Sequence, residues 1–447
     1  ANRLAYRLRA EGIGTDSIVA VLDERGPDLL TMIVGSFKAG GAYLPLDPQH
    51  PVARVARLLE LSQVPAVVTS GRLRSHLDQI LASMAEGSRP LVVVLDDLHE
   101  EPASDQDCTA PGKMDQLAYV IYTSGSTGVP KGAMVTMGGM LNNIESKLSS
   151  LAIGPRDVIA QTASQCFDIS VWQFLTALLC GATTRIVTDE VVREPSRLLA
   201  QLDHSQVTIY EAVPAVLQAL LDVEDRPASA LSHLRWVLPT GEALPPSLCR
   251  RWFERYPAIP LMNAYGPAEC ADDVAVHPLV AAPDDDIARI AIGRAIPNLR
   301  LYIVNRWLEP VPLGVSGELC IGGVGVGRGY LKDPARTAQV FVPDPFTNES
   351  GARLYRTGDL ARFRLDGTIE YVGRVDHQVK IRGYRIELQE VESALSSHPQ
   401  VSQGAASVRE DATSPVRAVV SRNGGTGAAL PLRSRVVTSP SGTLKSV

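Results

Sequence analysis

Along the first part of the chain, apolar positions at helical spacing alternate with short runs that are apolar throughout. "ANRLAYRLRAEGIG" sets Leu4 and Leu8 on one face and stops at glycine, which predicts a helix. "SIVAVLD" predicts a strand, and "PDLLTMIVGSFKAGGAYLPLD" a helix ending at Gly40 or Gly41 and then a second strand. Strands without polar alternation are buried on both faces, so this rhythm predicts a mostly parallel sheet covered by helices. The rhythm resumes further on, with "MVTMGGMLNNIESKL" and "PSRLLAQLDHSQV" as helices, "TTRIVT" and "TIYEAV" as strands, and "LRWVLPTGEAL" as strand and turn. Two doubly wound α/β subdomains account for this better than one oversized sheet. From about Ile287 the texture changes to short strands joined by Gly, Asp and Pro turns: "RLYIVN", "GELCIGG", "GRGYL" and "LYRTGDLARFRLDGTIEYVG", with "LDGT" as a hairpin turn. That predicts a small β-barrel-like subdomain. Past Asp376, "GRVDHQVKIRGYRIELQEVESALSSHPQV" predicts a short ribbon and a helix with Leu388, Val391 and Leu395 on one face, whereas residues 404–447 show no clear periodicity. The expected fold class is therefore α/β, with an N-terminal core over 1–375 and a small, shortened C-terminal α+β lid over 376–447.

Composition narrows the partners. The 447 residues are 45% hydrophobic, enough for about three folding units with real cores. The formal charge of −6 comes from interspersed acids and bases, which excludes a nucleic-acid footprint. Six cysteines (Cys108, Cys166, Cys180, Cys249, Cys270 and Cys320) lie far apart without a C-x-x-C pair, so they read as free thiols in a reducing compartment. His204, His233 and His277 lack metal-ligand spacing. No apolar run is long enough to span a membrane and no signal peptide opens the chain, so a soluble, cytoplasmic protein without a membrane partner is expected.

The candidate chemistry begins in "LAYVIYTSGSTGVPKG". Ala118 to Tyr122 is a buried strand by pattern, and Thr123, Ser124, Gly125, Ser126, Thr127 and Gly128 then offer hydroxyls and uncovered backbone N–H groups, which suit a phosphate. A P-loop would need lysine directly after the last glycine; here Val129 and Pro130 precede Lys131, so that motif is excluded. In "GGVGVGRG", Arg328 stands where a dinucleotide fingerprint needs glycine. "NAYGPAE" (Asn263 to Glu269) carries a ring and a carboxylate on a tight turn, "YRTGDL" places Asp359 where a carboxylate can accept two ribose hydroxyls, and "GRVDHQVKIRG" is a cationic ribbon.

In this order, together with "FKAGGAYLPLD", "FDIS" and "GELCIGGVGVGRGYL", these stretches resemble the adenylate-forming enzymes, specifically the amino-acid adenylation domains of nonribosomal peptide synthetases, over nearly the whole chain. The resemblance implies attack of a substrate carboxylate on the α-phosphate of ATP, loss of pyrophosphate, and transfer of the acyl group to the phosphopantetheine thiol of a carrier protein. In-line transfer at phosphorus calls mainly for positioning and charge neutralisation. The implied ATP site comprises Thr123 to Gly128, Asn263, Ala264, Tyr265 against adenine, Gly266, Ala268, Asp359 on the ribose, Tyr371, and Arg374 near ribose and phosphate. Lys131 would add positive charge and Glu269 would hold Mg²⁺, a hard cation that prefers oxygen ligands. Asp376 matches the hinge of the C-terminal domain, and Gly383 the tunnel for the carrier's arm. An adjacent condensation domain and an MbtH-like helper are further implied partners.

Asp168 in "FDIS" matches the aspartate that binds the substrate α-ammonium in amino-acid-activating members; fatty-acyl and aryl-acid ligases have no such need. The other pocket positions carried over by motif are Ile169, Trp172, Glu211, Leu238, Thr240, Ala264, Asp272 and Asp273. Beyond Asp168 this set has three carboxylates and no cation. Unpaired buried charge is costly, so a basic substrate short enough to leave room for Trp172 is expected: 2,4-diaminobutyrate first, ornithine or arginine next.

Two departures bear on activity. Ala268 stands where the family usually has a threonine that contacts the α-phosphate, a loss of about 1.5–3 kcal/mol for a hydrogen bond to a charged group. The terminal "TSPSGTLKSV" has Thr443 in place of the family's catalytic lysine, with Lys445 two residues on, and no Phe, Trp or Tyr follows Tyr384. The chain also starts inside the family's first helix and has no carrier domain, as expected of a piece of a multidomain synthetase. The alternatives are a catalytically impaired remnant that binds or docks, and a general acyl-CoA or aryl-acid ligase.

Overall fold

The computed structural model describes residues 1–99, 106–108, 112–125, 129–223, 231–376, 378–381, 384–388, 391–392, 404–411 and 414–422. The α/β rhythm of the sequence resolves into two seven-stranded sheets. In the first, Ile18–Leu22 lies at the centre, parallel to Ala42–Leu46 on one side and Ala66–Thr69 on the other, with Leu91–Val94 beyond. Every residue of Ile18–Leu22 and Ala42–Leu46 is buried, as the absence of polar alternation requires. Leu117–Thr123 adds on in parallel and turns back antiparallel as Lys131–Thr136, so the candidate phosphate loop is the connection of a hairpin.

The second sheet runs Thr183–Ile186, Val158–Gln161, Ile209–Ala212, Trp236–Pro239 and Leu261–Tyr265, all parallel, and ends in the antiparallel strands Ala275–Leu279 and Arg294–Ala295. One apolar core joins the two sheets, from Leu4 and Leu29 through Tyr43 and Tyr119 to Trp172 and Leu238. The third sheet is antiparallel throughout: Leu299–Val304, Gly317–Gly323, Arg353–Phe363 and Phe341–Pro343, with Ile369–Arg374 also paired to Arg353–Phe363.

Three local readings need correction. "MVTMGG" is not the start of a helix: Lys131–Thr136 is a strand, and the helix Met137–Ser150 begins where the Thr136 hydroxyl accepts from the Gly139 N–H at 3.3 Å. Ala133 and Val135 are buried and Met134 less so, an alternation that outweighs the methionine content. Gly329–Tyr330 leaves the β subdomain to pair with Lys131–Thr136 on the edge of the first sheet. Gly404–Asp411 and Ser414–Arg422, aperiodic by hydropathy, pair as an antiparallel ribbon. The cationic stretch pairs Val379–Ile381 with Tyr384–Ile386 as expected, while the rest of the helix proposed through Leu395 lies outside the described residues.

Candidate active site

The predicted residues gather into three groups at the ends of the strands of the first two sheets and the face of the third. The first is built on the hairpin and on the short helical turn Ala268–Cys270. Lys131 opens its strand and Glu269 lies in the turn; their side chains are nearly sealed from solvent, with Lys131 Nζ 3.5 Å from Glu269 Oε1. The Tyr330 hydroxyl donates to the same Oε1 at 2.7 Å, and Lys131 lies 5.0 Å from the Tyr330 ring centroid. Strand Gly329–Tyr330 thus supplies a contact that sequence reasoning missed. Thr123 Oγ1 donates to the Lys131 carbonyl at 3.5 Å. Ser124 and Gly125 are the last described residues on this side of the loop; Ser126, Thr127 and Gly128 lie outside the described residues, as do Gly383, Thr443 and Lys445. Among the described residues no three His, Cys, Asp or Glu side chains converge as a metal cluster, so a metal here would have Glu269 as its protein carboxylate.

The second group joins the end of Leu261–Tyr265 to the third sheet. The Tyr265 hydroxyl donates to Asp359 Oδ2, and Arg374 Nη1 donates to Asp359 Oδ1 at 2.6 Å. Register explains this: Asp359 and Arg374 are directly paired on neighbouring strands. The same guanidinium grips Asp376 through Nε at 2.6 Å and Nη2 at 2.7 Å, a bidentate pair that holds the candidate hinge residue against the candidate ribose site. The Tyr371 ring lies 6.4 Å from that of Tyr265. Burial and then the Asp359 charge raise the Tyr371 phenol to about 12 and hold the Tyr265 phenol well above its ordinary range, so both stay protonated. The Asn263 carboxamide donates to the Ala291 carbonyl at 2.7 Å, and Ala264 is buried opposite Val276.

The third group is the candidate substrate pocket. Asp168 caps the helix Ile169–Cys180, accepting from the Ile169 N–H at 3.1 Å, and Trp172 projects from that helix into the buried core. Trp172 Nε1 donates to Glu211 Oε2. Glu211 sits opposite Leu238 in the second sheet, and Thr240 Oγ1 donates to Asp273 Oδ1 at 3.3 Å. Asp272 and Asp273 follow a turn in which Ala271 (φ 64°) and Asp272 (φ 73°) are both left-handed, an arrangement tolerable for aspartate but unfavourable for alanine. A narrow cleft, too tight to hold a water molecule, is lined by Tyr119, Met140, Asn143, Asp168, Trp172 and Asp272.

The expectation of a pocket without a cation is wrong. Lys147, from helix Met137–Ser150, brings Nζ to 2.5 Å from Asp273 Oδ2, 3.1 Å from Asp272 Oδ2 and 3.7 Å from Glu211 Oε1, and to 4.6 Å from the Trp172 ring centroid. Its position was legible: Met140, Ile144 and Lys147 share one helical face, and a lysine on an apolar stripe signals a buried partner. Burial would depress the ammonium, but Asp272, Asp273 and Glu211 hold its pKa above the usual range. Burial raises Glu211 and Asp272 well above ordinary carboxylates, and their Oε1 and Oδ2 accept no hydrogen bond despite the nearby ammonium. Asp168 is raised to about 6 by burial and then by Asp273, with a smaller contribution from Glu269. The amino-acid pocket and the Lys131–Glu269 group therefore lie within electrostatic reach of each other.

Residues 1–331 match the family model described as AMP-binding enzyme. The chain belongs to that family. Among the relatives of this AMP-binding enzyme are phosphinothricin tripeptide synthetase PhsB of Streptomyces viridochromogenes, 42% identical over 92% of the chain and 33% of the relative, and tyrocidine synthase 3 of Brevibacillus parabrevis, 39% identical over 92% of the chain and 6% of the relative. The chain thus spans a third or less of the length of these curated relatives. The crystal structure of the nonribosomal peptide synthetase FmoA3 superposes with a TM-score of 0.75 at 34% identity, covering 84% of this chain and 39% of that one. FmoA3 has also been solved with AMPPNP and with α-methyl-L-serine-AMP bound. The two parallel sheets and the antiparallel third sheet of this AMP-binding enzyme are thus the architecture of a nonribosomal peptide synthetase. Among the described residues, no helix is long and apolar enough to cross a membrane.

Proposed function

We propose that the chain adenylates an amino acid with ATP, releases pyrophosphate, and passes the aminoacyl group to a carrier protein's phosphopantetheine thiol within a nonribosomal peptide synthetase. The observation that carries this reading is that one turn, 266–273, brings Glu269 to Lys131 and Asp272 to the cleft that Asp168, a carboxylate suited to an α-ammonium, also lines. In this reading Tyr265, Tyr371 and Asp359 seat the nucleoside, with Asp359 oriented by Arg374; Thr123, Ser124, Gly125, Ser126, Thr127 and Gly128 receive phosphates; and Lys131 neutralises charge there. Asn263 and Gly266 shape the wall, and Ala268 contributes no hydroxyl. Mg²⁺, when bound to Glu269, would offset charge on the phosphates; a single protein carboxylate suits a cation that keeps several waters and phosphate oxygens. The unit 1–375 forms the core and 376–447 the lid, turning at Asp376. Release of Asp376 by Arg374 would free both the hinge and a cation for phosphate. A condensation domain and an MbtH-like protein are the proposed neighbours.

For the side chain, a short basic amino acid remains the favoured substrate, 2,4-diaminobutyrate ahead of ornithine. Even with Lys147 counted, Glu211, Asp272 and Asp273 outnumber the cation, and two of their oxygens accept no hydrogen bond. ATP–pyrophosphate exchange across an amino-acid panel tests both levels. We expect basic amino acids to lead, and Thr443→Lys to raise the rate by about tenfold or more, as restoring a charge-assisted contact would. A panel led by Leu, Val or Phe would reject the basic substrate. Silence of both proteins with ATP binding retained would favour the second reading, a binding module, to which Thr443 in the lysine's place points.

A further inference from the structure

Asp272 lines the cleft together with Asp168, and Asp272 Oδ2 is 3.1 Å from an ammonium that belongs to the protein itself. That ammonium is surrounded on every side the structure describes: Asp273 and Asp272 from the turn after Cys270, Glu211 from the second sheet, and the Trp172 ring from the helix Asp168 caps. Three carboxylates and an aromatic face are what a substrate ammonium would seek. Lys147 has reached them first, on a helix whose buried face fixes its approach.

We propose that Lys147 is a specificity-determining residue: its ammonium fills the far part of the acidic seat and makes a floor that admits only short side chains. The proposal deepens the amino-acid-activating reading and rests on it. A diamino acid with a short side chain ends at Asp272 and Glu211, above the floor, where their unbonded oxygens can take its N–H groups. Ornithine or lysine would have to place its ammonium where Lys147 Nζ already lies. Removing the Lys147 side chain beyond Cβ empties that place while leaving the carboxylates and Trp172 to receive a longer substrate's ammonium. Specificity would then be set partly from a helix that contributes none of the pocket positions recognised by motif.

The test is equilibrium binding, which needs no turnover. Calorimetric titrations in the presence of ATP would compare the series 2,3-diaminopropionate, 2,4-diaminobutyrate, ornithine and lysine with the neutral series alanine, 2-aminobutyrate, norvaline and norleucine, for the unaltered chain and Lys147→Ala. We expect the length optimum to move to ornithine or lysine in the variant, with the affinity ratio of long to short diamino acids changing by about tenfold or more, the scale of pocket discrimination per methylene. An unchanged optimum in a folded variant overturns the proposal and leaves Lys147 as a structural counter-ion. If Lys147→Ala does not fold, Lys147→Ala with Asp273→Asn removes the closest ion pair as a unit and still empties the floor, and the same shift or its absence decides. A wild-type optimum in the neutral series would reject the basic-substrate reading alone, since the floor is then read from whether the variant lengthens that optimum. Binding of neither series rejects both.

Discussion

Asp168→Asn is expected to lower amino-acid-dependent ATP–pyrophosphate exchange, as kcat/KM, by roughly a hundred- to a thousandfold, with most of the loss in the amino-acid KM. Removing one partner of a buried ion pair costs about 3–5 kcal/mol, because the substrate ammonium would still be desolvated but no longer paired. The substitution is mild for the fold. Asparagine can accept from the Ile169 N–H as Asp168 does at 3.1 Å, so the helix Ile169–Cys180 keeps its cap. The pH dependence separates the roles. The Asp168 carboxyl is raised to about 6 by burial and then by Asp273, and only its ionised form pairs with an ammonium. In the unaltered protein the amino-acid KM should therefore rise about tenfold per pH unit as pH falls below about 6, and this rise should be absent in the variant. Stability carries the opposite sign from the usual carboxylate. Because the folded pKa is above the ordinary aspartate value of 3.8, the folded state holds more protons between pH 3.8 and about 6, and stability falls as pH rises through that window. The unliganded variant at pH 7.5 should consequently have a thermal midpoint no lower than the parent's. Loss of exchange with an undiminished midpoint supports a binding role; an unchanged KM rejects it.

How much of this was legible before any coordinates depends on whether a residue's partner is near in sequence. The buried strands Ile18–Leu22 and Ala42–Leu46 are apolar at every position, so local pattern alone places them. Asp359 and Arg374 belong to neighbouring strands joined by the "LDGT" turn, so the adjacency of their strands was legible, but a one-residue shift in register between Leu360 and Ala361 is what sets Asp359 opposite Arg374, and no local pattern reveals it. Tyr330 and Glu269 meet only because a two-residue strand crosses back to the first sheet, and no periodicity reveals so short an element. Lys147 lies between these cases. Its place on the apolar face was readable, but its three carboxylate partners come from a different strand and a different turn, so only the fold brings them to one point. The pocket's formal charge was therefore overestimated in sequence, through omission of a cation from outside the recognised motifs.

Gly266→Ala should be severely damaging, since among the described glycines an added Cβ makes its closest backbone approach there. Gly266 follows the last residue of strand Leu261–Tyr265, where the chain turns out of the sheet and returns past its own backbone. A Cβ there would lie 1.7 Å from the Asp272 carbonyl oxygen, 2.5 Å from its carbonyl carbon and 2.7 Å from the Asp273 Cα. These are main-chain atoms, so no rotamer change relieves the collision, and the whole segment 266–273 must open. Ordinary overpacking of a core costs about 1–3 kcal/mol because side chains can shift; a backbone collision has no such escape and should cost more. The same segment carries Glu269 at the Lys131 group and Asp272 and Asp273 at the amino-acid pocket, and its departure would also leave Lys147 among fewer carboxylates. Nucleotide and amino-acid binding should therefore be lost together, with exchange reduced by a thousandfold or more, on the order of 4 kcal/mol, and the thermal midpoint lowered. Gly154→Ala is the control, since an added Cβ there meets nothing within 4 Å and the backbone is not left-handed. Circular dichroism, thermal unfolding and exchange on both variants would decide. A Gly266→Ala protein with parental activity would mean that the close return of the chain onto Gly266 is not the arrangement that assembles the site, whereas joint loss with an intact control would tie both pockets to that one contact.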